Sequence, residues 1–353
     1  MSTPTVYDVA ARAGVSIATV SRFYRTPGAV RPETRDRVQA AVDELGYVPS
    51  GTARGLANRT TGVLGLCFPD FHDAGAANAA QADDTELMLY SDEVIRGMQR
   101  AAGRHGYALL LTNSRDRHAG EQLAEAAGRV DGMAVLSKTV SPETLEVVSR
   151  RLPIVMLAGR RDDAHDHVQV ANSKGQLELT RHLIVDHGLR RLTFVGGPSD
   201  SPDCEARFQG FLAAHHEAGL PLPEQPHIRG DLTQAAGHRA VMKILDGRGE
   251  RPQGVVLAND QMAVGALRAL ASRGIRAPEE MAVTGFDGIA LSRLVQPTLT
   301  TVRQPMARLG KEAVELLIAR LKDRKRAAVA RLLPVKVVRR ASCGCEPDRR
   351  GSE

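Results

Sequence analysis

Within the seven residues from Ser16 to Arg22, Ser16, Thr19 and Ser21 bring hydroxyls, Arg22 a guanidinium, and Ile17 and Ala18 small apolar side chains. Hydroxyls and the free N–H groups at a helix start suit phosphate oxygens, and the positive end of the helix dipole adds to that attraction. A guanidinium can meet the guanine edge with two parallel hydrogen bonds, a contact worth about 1–3 kcal/mol of discrimination. Ile17 and Ala18 suit thymine methyls. This is the chemistry of a duplex-DNA reader, and the same side chains also suit the solvated face of a helix in an ordinary bundle.

A second set is scattered far along the chain. Asp70 follows the apolar run 63–68, Asn259 and Asp260 follow the run 255–258, and Asp287 follows the run 281–285. Arg207 begins a helical stretch after the run 192–195 and its loop. In open α/β sheets, ligands bind beyond the carboxyl ends of the strands. Carboxylates and an amide accept protons from hydroxyls while Arg donates, so these residues suit a polyhydroxylated ligand. For each of them a helix N-cap role serves equally well.

The elements that must carry the first set are legible locally. Thr5 caps a helix whose third residue, Asp8, closes a capping box, and Val6, Val9, Ala10 and Ala13 form its apolar stripe. Gly14 ends that helix and Ser16 caps the next one, which runs from Ile17 to about Tyr24. Two short helices joined so tightly must cross steeply, with Ala10 small enough for close approach and Val15 and Val20 filling the angle. The pattern is a helix-turn-helix. A third helix spans 32–45, opened by Pro32, stopped by Gly46 and turned inward through Val38, Val42 and Leu45. In the following segment Gly51 and Gly55 each cost a helix about 1 kcal/mol relative to Ala, so it reads as a hinge that folds against a partner. Leu56 is out of place in a plain linker and suits a wedge in a minor-groove binder.

After Gly62 the pattern changes. Apolar runs at 63–68, 108–112, 133–136, 154–157, 192–195, 255–258 and 281–285 alternate with helix-length amphipathic stretches. Such alternation predicts parallel sheet covered by helices on both faces. The length of this region favours two doubly wound lobes over one sheet. The stretch 73–85 reads as a loop and the tail 341–353 as disordered.

Of the 353 residues 42% are apolar and 25% charged, enough for a real core and unlike a disordered chain. No apolar run reaches the roughly 20 residues of a membrane span, and the N-terminus lacks the apolar region of a secretory signal. The expectation is a cytoplasmic protein with no membrane association, whose four cysteines are reduced thiols. Residues 1–60 carry eight Arg and no Lys against five acids, so half of the net charge of +6 lies in about a sixth of the chain. Arg exceeds Lys 40 to 7 overall; this suits phosphate recognition, and a compositional bias of the source genome accounts for most of it. No P-loop, dinucleotide-binding glycine motif or nucleophile elbow is present, so no enzyme activity and no cofactor are expected. His165 and His167 read as a solvated loop. Cys343 and Cys345 have too few ligands nearby in sequence for a metal site, the nearest His toward the N-terminus being His238.

The run TVYDVAARAGVSIATVSR, followed by RPETRDRVQAAVDELGYVPSGTARGL, resembles the headpiece and hinge of the lactose-repressor (LacI/GalR) family. The body resembles that family's effector-binding core, itself similar to periplasmic sugar-binding proteins. The resemblance implies four segments: a DNA-binding headpiece (1–48), a hinge helix (49–61), a two-lobed effector-binding and dimerisation core (62–340) and the tail (341–353). By position it makes Tyr7, Ser16, Thr19, Ser21, Thr34 and Tyr47 backbone or positioning contacts, and Ile17, Ala18 and Arg22 base readers. It places Ala53 and Leu56 in the minor groove. Three departures stand out: Phe23-Tyr24-Arg25 after the recognition Arg, Arg31 where a Ser usually caps the third helix, and Ser50-Gly51 in the hinge. Arg25 then exchanges a neutral phosphate contact for a charged one.

In the body, ARFQGF, LANDQMAVGAL and TGFDGIALSRLVQPTLTTVRQP resemble the family's effector motifs and select Arg207, Asn259 or Asp260, and Asp287. The first loop departs strongly, with about twenty residues after Asp70, and position 171 is Ala where many members have Asp. The implied function is a repressor that binds a palindromic operator as a homodimer and is switched by a small effector, a sugar or related metabolite. The alternative is a cytoplasmic sugar-binding module or α/β enzyme with a vestigial headpiece.

Overall fold

The computed structural model describes residues 4–48, 60–69, 89–114, 119–137, 139–159 and 161–346, with only the backbone at Arg25, Pro69, Asn113, Ser114, Ala119 and Gly120. The chain divides into two compact units, one up to Gly62 and one from Val63 onward.

Among its described residues the first unit has three α-helices, α1 (Val6–Ala13), α2 (Ile17–Arg25) and α3 (Pro32–Leu45). The capping box forms as the sequence predicts. The Thr5 N–H donates to Asp8 Oδ2 at 2.8 Å and the Asp8 N–H to Thr5 Oγ1 at 3.4 Å. Gly14 adopts the left-handed conformation (φ 64°) that ends α1, and two residues later Ser16 accepts from the Thr19 N–H at 3.2 Å to start α2. Val9, Ala10, Ala13, Val20, Phe23, Val30, Val38 and Ala41 form the core. Phe23, a departure from the family pattern, is absorbed into that core and meets Tyr24 edge-to-face at 5.0 Å. Val42 and Leu45 are half-buried at its margin. Arg31 offers no side-chain cap to α3, and Pro32 at the first position, which lacks one of the orphan N–H groups, lessens the need for one.

The second unit contains β1 (Val63–Pro69), α4 (Leu89–Arg104), β2 (Ala108–Ser114), α5 (Ala119–Ala127), β3 (Gly132–Leu136), α6 (Pro142–Ser149), β4 (Ile154–Leu157) and β5 (Asp166–Val170). It continues with α7 (Asn172–Val185), β6 (Leu192–Gly196), α8 (Pro202–Glu217), β7 (Ile228–Arg229), α9 (Gln234–Asp246), β8 (Gly254–Leu257), α10 (Asp260–Ser272) and β9 (Ala282–Asp287). The last elements are β10 (Thr300–Arg303), α11 (Met306–Lys322), β11 (Ala330–Leu333) and β12 (Lys336–Val338). Among the described residues they make two six-stranded sheets, ordered β11-β5-β4-β3-β1-β2 and β12-β10-β9-β8-β6-β7. Every pairing is parallel except β10 with β12. This is the predicted pair of doubly wound lobes.

The chain passes between the lobes three times. It leaves the first sheet after β5, returns after β10 so that α11 packs its Met306, Leu309, Ala313 and Val314 into the first lobe's core, and leaves again between β11 and β12. The first and third passages touch, since the Ala171 N–H donates to the Leu333 carbonyl at 3.0 Å.

All seven predicted apolar runs are strands. The sequence reading missed β5, β7, β10, β11 and β12, which are short, polar or peripheral. His167 corrects the solvated-loop reading: it lies in β5, is 1% exposed, and accepts from the Asp162 N–H through Nε2 at 3.1 Å. Beside it Asp166, fully buried, holds Arg320 near the end of α11 at 3.0 Å and Arg326 just past that helix at 2.5 Å, pinning the end of α11 to β5. The expected disordered tail is also corrected over 341–346. Residues Ala341–Cys343 form a 3₁₀ turn, and the buried Ser342 bonds the strand edges through the Val283 carbonyl and the Thr300 N–H.

Candidate functional site

The first candidate surface is α2 and its flanks. Val20 and Phe23 take the inward positions of this helix, which forces Ile17, Ala18 and Arg22 outward. Ile17 is 41% exposed and Tyr7, on α1, 67%. Large apolar side chains kept in solvent next to a guanidinium are what a groove-docking face needs. Among the described residues no carboxylate pairs with Arg22, whereas the nearby Arg12 is held by Glu44 at 2.7 Å. Ser16 is exposed and Thr19 and Ser21 are half-buried, and the Ser16 and Thr19 hydroxyls bond each other at 3.0 Å, fixing both at the helix start. Thr34 sits half-buried in the first turn of α3. Tyr47 lies just past α3, its ring 6.3 Å from that of Tyr24. Arg25 ends α2. Ala53, Leu56 and Asp70 lie outside the described residues.

The second candidate surface lies where the lobes cross. Arg207, in the second turn of α8, is buried, and four partners surround its guanidinium. Nε donates to Asn172 Oδ1 at 2.9 Å, one terminal nitrogen to the Ala258 carbonyl at 2.6 Å, and the other lies 3.4 Å from Asp287 Oδ1. The fourth partner is the Phe286 ring, whose centroid is 4.0 Å from the guanidinium carbon. Asn172 is the first residue after the first lobe passage, and its amide donates to Asp203 Oδ1 at 2.9 Å. The Gly159 N–H of the first lobe reaches the same oxygen at 3.3 Å. Gln304, just before the second passage, donates to Asp287 Oδ1 at 2.6 Å. Asp287 itself is held at φ 127°, a conformation that costs a non-glycine residue on the order of 1–3 kcal/mol and clusters at binding sites.

One guanidinium therefore faces several acids. Burial pushes the Asp287 and Asp203 carboxyls above the usual range, while Arg207 pulls both back down. Tyr90, at the start of α4, has its hydroxyl pushed up first by burial and then by the charges of Asp203 and Asp287. Among the described residues nothing bonds Oδ2 of Asp203 or of Asp287, and Oε1 of the buried Gln304 has no partner. The crevice thus offers acceptors.

Of the five effector residues expected from sequence, the fold brings Arg207 and Asp287 together. Asn259 and Asp260 lie behind them with their polar atoms engaged. Asn259 caps α10 by accepting from the Met262 N–H at 3.0 Å and donates to the Leu232 carbonyl at 3.0 Å. Asp260 accepts from the Gly288 and Ile289 N–H groups at 2.8 and 2.9 Å and from the Thr301 hydroxyl, which secures the turn that strains Asp287. Burial and the nearby Asp287 charge raise its carboxyl. Sequence reasoning missed Asn172, Asp203, Tyr90, Phe286 and Gln304. The strand-end rule reaches Asn172 once β5 is seen as a strand; Gln304 and Tyr90 carry no local signal.

Among the described residues no helix is long and apolar enough to cross a membrane. Residues 5–50 match the family model of bacterial regulatory proteins of the lacI family, and residues 180–343 match a periplasmic binding protein-like domain. The HTH-type transcriptional repressor PurR of Aliivibrio fischeri (strain MJ11) is 33% identical over 91% of this chain and 92% of its own. Among solved structures, a transcriptional regulator CelR–cellobiose complex is 30% identical with a TM-score of 0.70, covering 96% of this chain and 99% of that one. The lac repressor dimer bound to operator and the anti-inducer ONPF is 25% identical with a TM-score of 0.79, over 97% and 99%. With a DNA-reading fold at its N-terminus and a two-lobed binding core behind it, the chain is a transcriptional regulator and belongs to the lacI family.

Proposed function

We propose that the protein is a repressor that grips a palindromic operator as a homodimer through α2 and is switched by a neutral polyhydroxylated metabolite, a sugar or close relative, held at the lobe crossing. The observation that carries the reading is Arg207, buried among Asn172, Asp203 and Asp287 at the point where three chain passages join the lobes. A sugar hydroxyl can hydrogen-bond to Asp203, Asp287 or Gln304 while Arg207, backed by the Phe286 ring, donates to its oxygen, and Tyr90 supplies a flat apolar face. Asn259 and Asp260 act as positioning residues behind them. Any ligand that bridges the lobes changes their angle, and it shifts operator affinity only by its unequal affinity for the two arrangements.

On the DNA side, Arg22 reads guanine, Ile17 and Ala18 press on thymine methyls, and Tyr7, Ser16, Thr19, Ser21, Arg25, Thr34 and Tyr47 contact the backbone or set the register. Ala53 and Leu56 of a hinge spanning 49–61 enter the minor groove. The test is selection of binding sites from a random duplex library at rising salt, followed by titration of the selected duplex with a panel of mono- and disaccharides. A palindromic site whose affinity changes with one sugar, and no longer changes in Asn172→Ala, supports the proposal. Retention without a motif, lost uniformly with salt, means phosphate contact alone and overturns it.

A further inference from the structure

The C-terminal pair Cys343 and Cys345 does not stay apart from histidine. The fold lays the 3₁₀ turn Ala341–Cys343 against the C-terminal end of α7, where His182 occupies the last turn and His187 follows the helix. One ligand atom from each of these four residues lies within 4.8 Å of all the others. The individual separations are closer. His182 Nε2 is 3.2 Å from His187 Nε2, 3.4 Å from Cys345 Sγ and 3.6 Å from Cys343 Sγ, and Cys345 Sγ is 3.3 Å from His187 Nε2. We propose that His182, His187, Cys343 and Cys345 form a closed, four-coordinate structural site for a zinc-class divalent ion.

The distances themselves carry the argument. A tetrahedral ion with bonds of about 2.3 Å to sulfur and about 2.0–2.1 Å to nitrogen requires nitrogen–nitrogen edges of about 3.3 Å and nitrogen–sulfur edges of about 3.6 Å. The four separations above lie within a few tenths of an ångström of those edges. The surroundings agree. His182 Nδ1 lies 2.7 Å from Asp186 Oδ2, and a proton held there leaves Nε2 as the lone-pair nitrogen aimed into the cluster. That is the carboxylate–histidine arrangement that fixes a metal-binding imidazole. Arg339 approaches the same carboxylate at 3.4 Å and sets its orientation. Gly344 adopts φ 96°, a bend that turns the second thiol back toward the first. Two thiols and two imidazoles select zinc-like ions over magnesium or calcium.

Four protein ligands leave no open position, so the ion would hold rather than catalyse. It would clamp the chain beyond the third lobe passage to the helix that follows the first. His182 and Cys343 are buried, and Cys343 belongs to the apolar cluster of Phe194, Phe208 and Phe211. Cys345 and His187 are half-buried, so their replacement disturbs little packing.

The test uses the untagged full chain expressed with added zinc and purified without chelator. Elemental analysis is expected to find a single zinc per chain in the wild type and background levels in Cys345→Ser and His187→Ala, each checked for an unchanged circular-dichroism spectrum. Cobalt added to the stripped wild type is expected to give the visible bands of tetrahedral thiolate coordination, lost in Cys345→Ser. Zinc should also raise the melting temperature of the stripped wild type and leave that of Cys345→Ser unmoved. Three results would each overturn the site: equal zinc in wild type and both variants, no visible cobalt bands, or a mapped Cys343–Cys345 disulfide in protein purified without reductant.

Discussion

In the three-helix unit the side chains with chemistry face water over an apolar core of eight buried residues, whereas in the two-lobed unit Arg207, Asn172 and Asp287 are themselves buried. The contrast follows from the size and stiffness of the partners. A DNA groove is large and preformed, so a reader has only to present Ile17, Ala18 and Arg22 on a rigid helix and leave them solvated until docking. A small ligand must be enclosed, so its binding groups pay for burial in advance and are held by one another. Mutations should therefore act differently in the two sites. In the crevice, binding and stability should fall together; on the exposed face of α2, binding should fall alone.

The largest effect expected is at the crevice. Arg207→Ala leaves Asp287 buried without its cation and removes donors from Asn172 and the Ala258 carbonyl. Breaking a buried pair on one side costs about 3–5 kcal/mol, read as a lower urea midpoint of the larger unit with loss of any sugar response. An unchanged midpoint would place Arg207 in a looser, solvated setting and blur the contrast between the regions. Next comes the core of the small unit. Phe23→Ala, at a site only 8% exposed, should cost about 3 kcal/mol. In a unit this small that is enough to abolish operator binding while the larger unit melts as before, which differential scanning calorimetry can separate.

Arg22→Ala tests the exposed face itself. Its removal should cost about 2 kcal/mol of discrimination between the selected site and one with the guanine replaced, with no change in either melting transition. A loss of stability would mean that Arg22 serves the fold, and the outward face would lose its meaning as a reading surface.

The same contrast explains what could be read before the fold was known. The small unit is built from neighbours: Thr5 with Asp8, Gly14 with Ser16, Pro32 with Gly46. Their spacing gave α1, α2 and α3, and with them the outward positions of Ile17, Ala18 and Arg22. The seven apolar runs gave the central strands for the same local reason. The crevice joins Gly159, Asn172, Asp203, Arg207, Asp287 and Gln304, which only the lobe passages bring together, so periodicity points to its members singly. There Asn259 and Asp260, singled out by the same position, accept from the Met262, Gly288 and Ile289 N–H groups. The cysteine pair shows the same limit of local reading. Cys343 lies 161 residues from His182 along the chain, yet the two touch.

The smallest effect expected comes from the capping box, where the chemistry is fully solvated. Thr5→Ala removes the hydroxyl that bonds Asp8 and should cost the small unit about 1 kcal/mol. The pH dependence carries a sign that distinguishes this from simple loss of packing. Hydrogen bonds from the Thr5 side chain and then its backbone hold the Asp8 carboxyl below its ordinary value. A lowered folded-state value means that the bonds stabilise the ionised form. The contribution is therefore complete above the ordinary carboxylate range and fades as pH falls through it. The wild type and Thr5→Ala should differ most near neutral pH and converge in acid, measured as the melting temperature of the small unit. Parallel curves would assign the loss to the helix start alone, independent of Asp8. Convergence would show that even the exposed unit spends one carboxylate on its own architecture, as the crevice spends Asp260, with solvent keeping the cost to a fraction of that at Arg207.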